Sequence, residues 1–300
     1  MDNRSEVSEF LTTRRARITP QEAGLPSYDG STRRVPGLRR QEVATLAGLS
    51  VEYYAQLERG KLQGVSEAVL DALSRALQLD DAERAHLFDL CRAANTTARA
   101  KRRGPRTVRP AVARIVEAIT DIPAIVRNPR LDIVTANPLG YALYAPLFPD
   151  PRHPDPTAPA NMARFTFFDP RAGDFHPDWT AAAERAVAIL RTEAGRDPFD
   201  RDLSDLVGEL STRSEAFRTL WARHDVRLHQ NGVKRFNHPI VGSLNFDFET
   251  LDVAADQGLT MTVYSPEPGS PSADANALLA SWIATGDADG HRAAQRHESA

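Results

Sequence analysis

The sequence predicts two domains, an all-α domain at the N-terminus followed by an α+β domain with a mostly antiparallel sheet. Apolar residues recur at helical spacing through residues 5–97, and strand-like alternation is concentrated in the last third of the chain. Between them, RAKRRGPRTVRP (99–110) has six basic residues and no apolar period, which is typical of a linker. The predicted boundaries are 1–97 for the helical domain, 98–110 for the linker, 111–284 for the α+β domain and 285–300 for a disordered tail.

Composition and cysteine content narrow the class of protein. The chain has 300 residues, 41% of them hydrophobic, which is enough for two domains of ordinary size. A single cysteine, Cys91, excludes a disulfide framework and a zinc site built from several thiolates. The N-terminus lacks the pattern of a secretory signal, and no apolar run is long enough to span a bilayer. We therefore expect a cytoplasmic protein with no membrane partner.

Charge is distributed unevenly along the chain. Residues 1–114 contain 20 Lys/Arg and 14 Asp/Glu, a balance of +6, whereas the remainder contains 17 and 26, a balance of −9. A basic N-terminal part joined to an acidic remainder favours a polyanion as the partner of the helical domain. The alternatives are an ordinary solvated surface and a linker that acts only as a tether.

The most informative segment is RRQEVATLAGLSVEYYAQLERGK, residues 39–61. It predicts two short helices, 39–47 and 50–58, joined by a turn at Gly48. Glycine is favoured there because the first helix must end with a positive φ, and Ser50 is a good N-cap for the second helix. This is the helix-turn-helix pattern, in which the second helix enters the major groove of DNA. The alternative is an αα-hairpin with no nucleic-acid role.

Side chains that point outward from this motif are the candidate DNA contacts. Gln56 can pair with adenine, Glu52 can accept a hydrogen bond from cytosine N4, and Val51 can touch a thymine methyl group. Glu52 has the alternative role of compensating the helix dipole. Basic side chains that flank the two helices are expected to bind phosphates. The predicted DNA-binding set is Arg39, Arg40, Ser50, Val51, Glu52, Tyr53, Gln56, Arg59 and Lys61.

The second domain is predicted from segments behind the linker. Helices are expected at 111–119, 179–193, 203–211 and 214–224, and strands at 131–136, 226–230, 234–238, 241–254 and 259–265. Asn231-Gly232 predicts a two-residue turn between two of these strands. One apolar face on two neighbouring strands is predicted from Leu244, Phe246, Phe248, Leu259, Met261 and Val263, covered by Trp179, Val187, Ile189 and Leu190 of a helix. These residues alone favour a packed core over a cavity.

The sequence offers no catalytic constellation. It has no G-x-S-x-G, P-loop or G-x-G-x-x-G motif and no histidine pair at metalloprotease spacing. His224, His229 and His238 come nearest to a metal-binding set, but their spacing does not require them to converge. We therefore expect no enzyme activity, no catalytic residue, no metal site and no cofactor.

Segments in both domains match motifs of one known family. In the N-terminal part they are GLRRQEVATLAGLSVEYYAQLERGK and SEAVLDALSRALQLDDAERAHLFDL. In the second domain they are LDIVTANPLGYALY, NMARFTFFDP, FHPDW, RDPFDRDLSDLVGELSTRSEAFRTLWARHDV, KRFNHPIVGSLNFDFETL and VYSPEPGSPS. The chain thereby resembles the XRE-type helix-turn-helix transcription regulators that carry an MmyB-like ligand-binding domain.

The resemblance has implications for fold and partners. It implies a five-helix, lambdoid-repressor-like domain followed by a PAS-like α+β domain with an apolar pocket. It also implies a homodimer that binds double-stranded operator DNA and senses a small hydrophobic or amphiphilic ligand, fatty-acid-like in character. The alternative function is a regulatory module whose helical domain docks a protein of the transcription machinery.

Candidate ligand contacts are taken from polar and aromatic residues inside the matching motifs. A ligand with a carboxylate needs a cationic or hydrogen-bonding group at the mouth of its pocket. Arg235 has the alternative of pairing with Asp247 or Glu249 across the sheet. The predicted ligand-binding set is Tyr141, Arg164, Trp179, Arg235 and His238.

Overall fold

The computed structural model describes residues 3–25, 37–95, 108–151, 155, 159–226, 231–256 and 258–298. These residues form two compact units. The first unit combines residues 1–102 with 187–228, and the second combines 103–186 with 229–300. None of the helices described is long and apolar enough to cross a bilayer.

The N-terminal part of the first unit is helical, which confirms the predicted all-α domain. Its helices are α1 (Asn3–Arg17), α2 (Arg40–Ala47), α3 (Val51–Glu58), α4 (Glu67–Ala76) and α5 (Asp81–Asn95). The two helices predicted at 39–47 and 50–58 are α2 and α3, and each begins one residue later than predicted and ends at the predicted residue.

The remaining elements follow the linker. The helices are α6 (Pro110–Glu117), α7 (Pro138–Leu143), α8 (Met162–Phe168), α9 (Ala172–Phe175), α10 (Trp179–Arg196), α11 (Arg201–Arg213), α12 (Glu215–Trp221) and α13 (Pro271–Glu298). The strands are β1 (Ala124–Arg127), β2 (Ile133–Ala136), β3 (Asn231–His238), β4 (Gly242–Asp252) and β5 (Thr260–Ser265). Helices α11 and α12 belong to the first unit, as does α10 from Val187 onward.

The core of the first unit is an apolar cluster that includes α1 and α3. Val7, Phe10 and Leu11 of α1 are fully buried, at the spacing that places side chains on one face of a helix. Tyr54 and Leu57 of α3 are buried in the same cluster. The second helix of the predicted motif is therefore held in place by the side chains that it buries in this core.

Residues 187–228 pack with the N-terminal helices, which differs from the predicted division at the linker. Val226 lies in the core formed by α1 to α5. Gly195 of α10 approaches His86 of α5 so closely that a Cβ on this glycine would stand 2.4 Å from the imidazole ring. A local apolar pattern does not show which distant helix a segment will contact, so this grouping was not predictable from the linker.

A buried ionic cluster joins α1 to this segment. The Glu6 carboxylate binds the guanidinium of Arg191, which is fully buried, and lies 3.4 Å from Nδ1 of His224. Burial by itself raises the pKa of Glu6, but the hydrogen bond with His224 and the charge of Arg191 lower it to about 2. Burial lowers the pKa of the neighbouring His86 to about 3. At neutral pH the cluster therefore contains an ionised glutamate beside a neutral His86.

The second unit contains a five-stranded antiparallel sheet with the order β2–β1–β5–β4–β3. One face packs against α6 through Val112 and Val116. The other face, hereafter the inner face, carries Phe236, Phe246 and Tyr264 and packs against α7, α9 and α13. This arrangement confirms the predicted α+β class with its antiparallel sheet.

The single apolar face predicted on the last two strands is wrong. Phe248 of β4 pairs with Tyr264 of β5, so both lie on the inner face. Because side chains alternate along a strand, Met261 and Val263 lie on the opposite face, against α6 together with Leu259. The covering side chains are divided as well, since Val187, Ile189 and Leu190 belong to the first unit, whereas Trp179 belongs to the second.

The turn predicted at Asn231-Gly232 is also wrong. Both residues lie within β3, opposite Glu249 and Phe248 of β4. The connection between these strands lies instead at 239–241. The length of β4 decides the outcome, because it offers pairing partners to the whole of β3 and so overrides the local turn signal.

Three further predicted segments differ from the structure or lie partly outside the described residues. Val226, predicted to begin a strand, lies in the core of the first unit, and 227–230 lie outside the described residues. Most of the predicted linker lies outside them too, and α6 begins at Pro110, a residue favoured in the first turn of a helix. Where a disordered tail is predicted from residue 285, the structure continues α13 to Glu298.

Candidate functional site

The junction between α2 and α3 is shaped by Gly48. This residue has φ 67° and ψ 32°, the left-handed conformation that glycine adopts most easily. Its N–H donates to the Thr45 carbonyl at 3.2 Å, and the Leu49 N–H donates to the Ala44 carbonyl at 2.8 Å. These bonds satisfy carbonyl groups that the end of α2 would otherwise leave unpaired.

The start of α3 is capped by Ser50. Its Oγ accepts a hydrogen bond from the Tyr53 N–H at 3.1 Å, the geometry of an N-cap. The first turn of α3 is thereby formed by local contacts, as the sequence predicts.

Helix α3 presents one face to the core and the other to solvent. Tyr54 and Leu57 are fully buried, whereas Val51 and Tyr53 are 38% and 36% exposed although they are apolar and aromatic. Large apolar side chains in solvent at the start of a helix are available for a partner. The exposed side chains are Val51, Glu52, Tyr53 and Gln56, hereafter the reading face.

The C-terminal end of α3 is held by a buried carboxylate. Glu58 is only 2% exposed, and its Oε1 lies 2.6 Å from Nε of Arg15 on α1. Its Oε2 binds Nε of Arg40 on α2, and this hydrogen bond and charge raise the pKa of Arg40. One side chain thus connects three helices and sets the orientation of the reading face.

The predicted phosphate-binding side chains lie at the ends of α2 and α3. Arg39 precedes α2, Arg59 follows α3, Lys61 comes two residues later, and all three are exposed. Arg40 differs because its Nε binds Glu58, but its side chain is 57% exposed. A guanidinium has five N–H donors, so Arg40 retains donors for a second partner.

In the second unit, two of the predicted ligand-binding side chains have structural contacts. The indole N–H of Trp179 donates to the Thr166 carbonyl at 2.9 Å. His238 is buried, with its Nε2 2.9 Å from the Ala142 carbonyl oxygen, and burial lowers its pKa. These contacts fix α10 to α8 and β3 to α7.

The other three predicted ligand contacts lie in different places. The Tyr141 ring packs edge-on against Phe148, with centroids 5.3 Å apart. Arg164 lines a groove of about 370 Å³ together with Phe165 and Phe168. Arg235 is exposed on β3, and because side chains alternate it points away from the inner face.

A polar group on the inner face was missed by sequence reasoning. Lys234 Nζ donates to the Tyr144 hydroxyl at 2.7 Å, and this oxygen lies 2.7 Å from the Tyr264 hydroxyl. The signal was available in the sequence, because Lys234 shares its strand phase with Phe236 and His238. A lysine in the apolar phase of a strand is unusual and indicates a specific role.

The charges around Lys234 alter its protonation. Burial, together with the positive charges of Arg185 and Arg127, lowers the pKa of Lys234 to about 7. Burial raises the pKa of Tyr264 to about 12 and that of Tyr144 well above its ordinary value. Both hydroxyls are therefore neutral at physiological pH, and one of them donates a hydrogen bond to the other.

One group of potential metal ligands lies in the first unit. Oxygen and nitrogen atoms of Glu6, Glu9 and His224 lie within 4.8 Å of one another. The Arg191 guanidinium binds Glu6, and His224 Nε2 lies 2.9 Å from Glu9 Oε2. Because a guanidinium already provides the positive charge, we interpret the group as an ion-pair network.

Comparison with known families identifies both parts of the chain. Residues 108–279 match the family described as MmyB-like transcription regulator ligand binding domain, and residues 4–87 match a helix-turn-helix domain. The first match covers more than half of the chain, so the protein belongs to the MmyB-like transcription regulators. No curated protein gave a match to the chain. The two domains are those of a DNA-binding transcription regulator with a ligand-sensing domain.

Proposed function

We propose that the protein recognises a specific DNA sequence with the reading face of α3. The observation that carries this proposal is the exposure of that face on a helix whose opposite face is buried. A short helix anchored on one side can enter the major groove with its N-terminal residues foremost. The alternative, docking of a protein of the transcription machinery, would use the same exposed side chains.

The reading face offers a distinct partner for several bases. Gln56 provides an amide that can pair bidentately with adenine, and Glu52 provides an acceptor for cytosine N4. Val51 can contact a thymine methyl group. Each good contact of this type contributes about 1 to 3 kcal/mol of discrimination between bases.

Affinity would come from contacts with the phosphate backbone. Arg39, Arg59 and Lys61 are exposed at the helix ends, and Arg40 keeps donors beyond its bond to Glu58. Ser50 accepts a hydrogen bond through Oγ as a cap, so its hydroxyl proton can still be donated to a phosphate oxygen. These contacts would position the reading face without selecting a sequence.

The regulator would act as a homodimer controlled by a small ligand. Two reading helices related by a two-fold axis would lie about 34 Å apart and match half-sites one helical turn apart. A fatty-acid-like ligand in the second unit would change operator affinity only if it favoured one arrangement of the two helices. Arg164 lines a groove and is the proposed contact there, whereas Tyr141, Trp179 and His238 remain proposed ligand contacts outside the lining of that groove, and we assign Arg235 to the surface.

Selection from random DNA tests the proposal with the full chain. We expect an enriched site of two related half-sites, with an affinity that falls as the salt concentration rises. Lys61→Ala should weaken binding to all sequences alike and reduce the slope of log affinity against log salt by about 1. Arg75→Ala is the matched control, because Arg75 is also exposed but lies on α4 outside the proposed interface.

The outcomes separate the two functions. An enriched sequence with a normal salt dependence supports DNA recognition. If no sequence is enriched, or if Lys61→Ala and Arg75→Ala have the same effect, the docking of a protein partner becomes the better explanation of the reading face.

A further inference from the structure

The two edges of the sheet in the second unit differ. Strand β2, at one edge, is four residues long, and residues 160–162 run beside it. There the Ile133 N–H donates to the Ala160 carbonyl and the Met162 N–H donates to the Leu131 carbonyl, each at 2.9 Å. Strand β3, at the other edge, is eight residues long. In the described part of the chain, no hydrogen bond joins the main chain of 231–237 to a residue outside β4, so this edge is open.

Hydrogen bonds of the neighbouring strands show which main-chain groups of β3 point toward the open edge. Along an antiparallel strand, residues alternate between those whose N–H and C=O face one neighbour and those whose groups face the other. The Asn245 N–H donates to Ser272 Oγ at 2.9 Å, so the main chain of Asn245 faces away from β3. Its partner Arg235 therefore faces away from β4. The outward residues of β3 are, by alternation, Asn231, Val233, Arg235 and Asn237.

The next strand confirms this phase. The Tyr264 N–H donates to the Pro123 carbonyl at 2.9 Å, so the main chain of Tyr264 faces β1. Its partner on β4 is Phe248. By alternation the main chain of Phe248 faces β3, and the odd-numbered residues of β4, Asn245 among them, face away from β3.

Solvent reaches the main chain along the open edge. All four outward residues are exposed, and so is Gly232, whose exposure is that of the main chain because it has no side chain. Strand β3 contains no proline, and its pairing with β4 runs without a bulge, although both features commonly protect open edges. Val233 is 50% exposed although it is apolar. An open, regular edge of this kind is a template for another strand.

We propose that β3 pairs with β3 of a second copy of this chain, so that two sheets join into one across a two-fold axis. The proposal rests on the homodimer of the proposed function and names its interface. A two-fold axis places a strand antiparallel to its own copy, and the same residues then supply both sides of the interface. Recognition of two related half-sites requires such a symmetric partner, which favours a second copy over a strand of another protein.

Charge selects the register of this pairing. One residue of β3 must lie on the axis, opposite its own copy. An axis at Lys234 or Arg235 would bring two cations directly opposite each other, which destabilises a strand pair. An axis nearer either end of β3 would pair fewer of the outward residues. An axis at Val233 brings two apolar side chains together, and three facing pairs centred there would exchange two N–H···O bonds each.

This register also places opposite charges across the axis. Arg235 would face Asn231 of the second copy, and Asn231 is paired within each copy with Glu249 of β4. Neighbouring strands lie about 4.8 Å apart, so Arg235 and Glu249 of the second copy would start about 10 Å apart. Both side chains are exposed and long enough to meet at that separation. The edges of two copies are therefore complementary in charge as well as in hydrogen bonding.

Cross-linking of the full chain tests the register. Val233→Cys should form a disulfide between two copies under mild oxidation, because facing Cα atoms of a hydrogen-bonded pair lie about 5.5 Å apart, within disulfide range. Arg235→Cys is the matched control, because this exposed residue on the same strand would lie about 13 Å along the strands from its own copy. The native Cys91 is buried, so it should not form a competing disulfide.

Sedimentation velocity of the free protein tests the interface itself. DNA is left out because adjacent half-sites would hold two copies together without any contact between them. Val233→Lys places two cations opposite each other at the axis and should raise the dissociation constant of the dimer at least about tenfold. Leu251→Lys is the matched control, because Leu251 is 45% exposed on the same face of the sheet but lies on β4. It should leave the dissociation constant unchanged.

The outcomes separate the interface from the proposed function. A wild-type dimer that Val233→Lys dissociates and that Val233→Cys cross-links supports the inference. A dimer that persists in Val233→Lys, or a cross-link in Arg235→Cys in place of Val233→Cys, would overturn the proposed pairing but leave the homodimer. A monomeric wild type would overturn both and leave the open edge to a strand of another protein. DNA recognition would then be judged by the selection experiment alone.

Discussion

At the scale of single residues, the orientation of the reading face depends on Glu58. Its side chain is 2% exposed, and its carboxylate forms ion pairs with one arginine from α1 and one from α2. A buried charge is tolerated because both oxygens are paired. The position of α3 therefore depends on an ion pair as well as on its apolar face.

Glu58→Gln should destabilise the first unit and weaken DNA binding. The substitution keeps the shape of the side chain but leaves the Arg15 and Arg40 guanidinium groups without their counter-ion. We expect the free energy of unfolding to fall by about 3 kcal/mol, measured by urea denaturation. Glu52→Gln, an exposed carboxylate on the same helix, should change it by less than about 0.5 kcal/mol. Equal stabilities for the two variants would contradict this role.

Residues that act through local rules were predictable, and those that act through distant partners were not. Gly48 and Ser50 followed from turn and cap preferences. The partners of Glu58 and Lys234 are brought together only by the fold. Lys234 Nζ donates to a hydroxyl 90 residues away in the chain, and nothing near it in the sequence identifies that partner.

At the scale of elements, helices with strong periodicity were predicted well and strand pairing was not. α2 and α3 lie within one residue of the predicted bounds because helical spacing is local information. The register of β4 and β5 placed Met261 and Val263 on the face opposite Phe248. Because a shift of one residue exchanges the two faces of a strand, an alternating pattern identifies a strand without showing which face meets which layer.

The contact of α10 with α1 and α5 should make the first unit sensitive to acid. His86 keeps a pKa of about 3 in the fold against 6.5 as its ordinary value, so the unfolded chain binds a proton that the folded one rejects. The contribution of His86 to the free energy of unfolding is therefore fully present above about pH 6.5. It falls by about 1.4 kcal/mol per pH unit between about pH 6.5 and pH 3. Glu6 adds a further loss between pH 4.5 and about 2, because its folded pKa is lowered.

Denaturation of wild type and His86→Phe at several pH values between 7 and 5 tests this prediction. The variant keeps a ring against Phe10 but cannot titrate, so its stability should depend less steeply on pH. The same pH dependence in both proteins would show that His86 is not the group responsible.

At the scale of the whole molecule, neither compact unit is a single continuous stretch of the sequence. Hydrophobic periodicity and the basic linker correctly indicated a helical part and an α+β part. Residues 187–228 nevertheless match the ligand-binding family while packing with the helix-turn-helix part. Helix α10 contributes residues to both units. The family match covers one continuous stretch of sequence, whereas the compact units are defined by contacts in space. The two therefore place the boundary between the domains differently.

The central claim is that the reading face of α3 selects the DNA sequence. The most direct test compares wild type and Gln56→Ala on the selected site and on single base-pair variants of it. We predict that Gln56→Ala loses about 1 to 3 kcal/mol of discrimination at one base pair in each half-site and keeps its discrimination elsewhere. Unchanged discrimination at every base pair would show that the exposed face of α3 does not read the bases in the way that we propose.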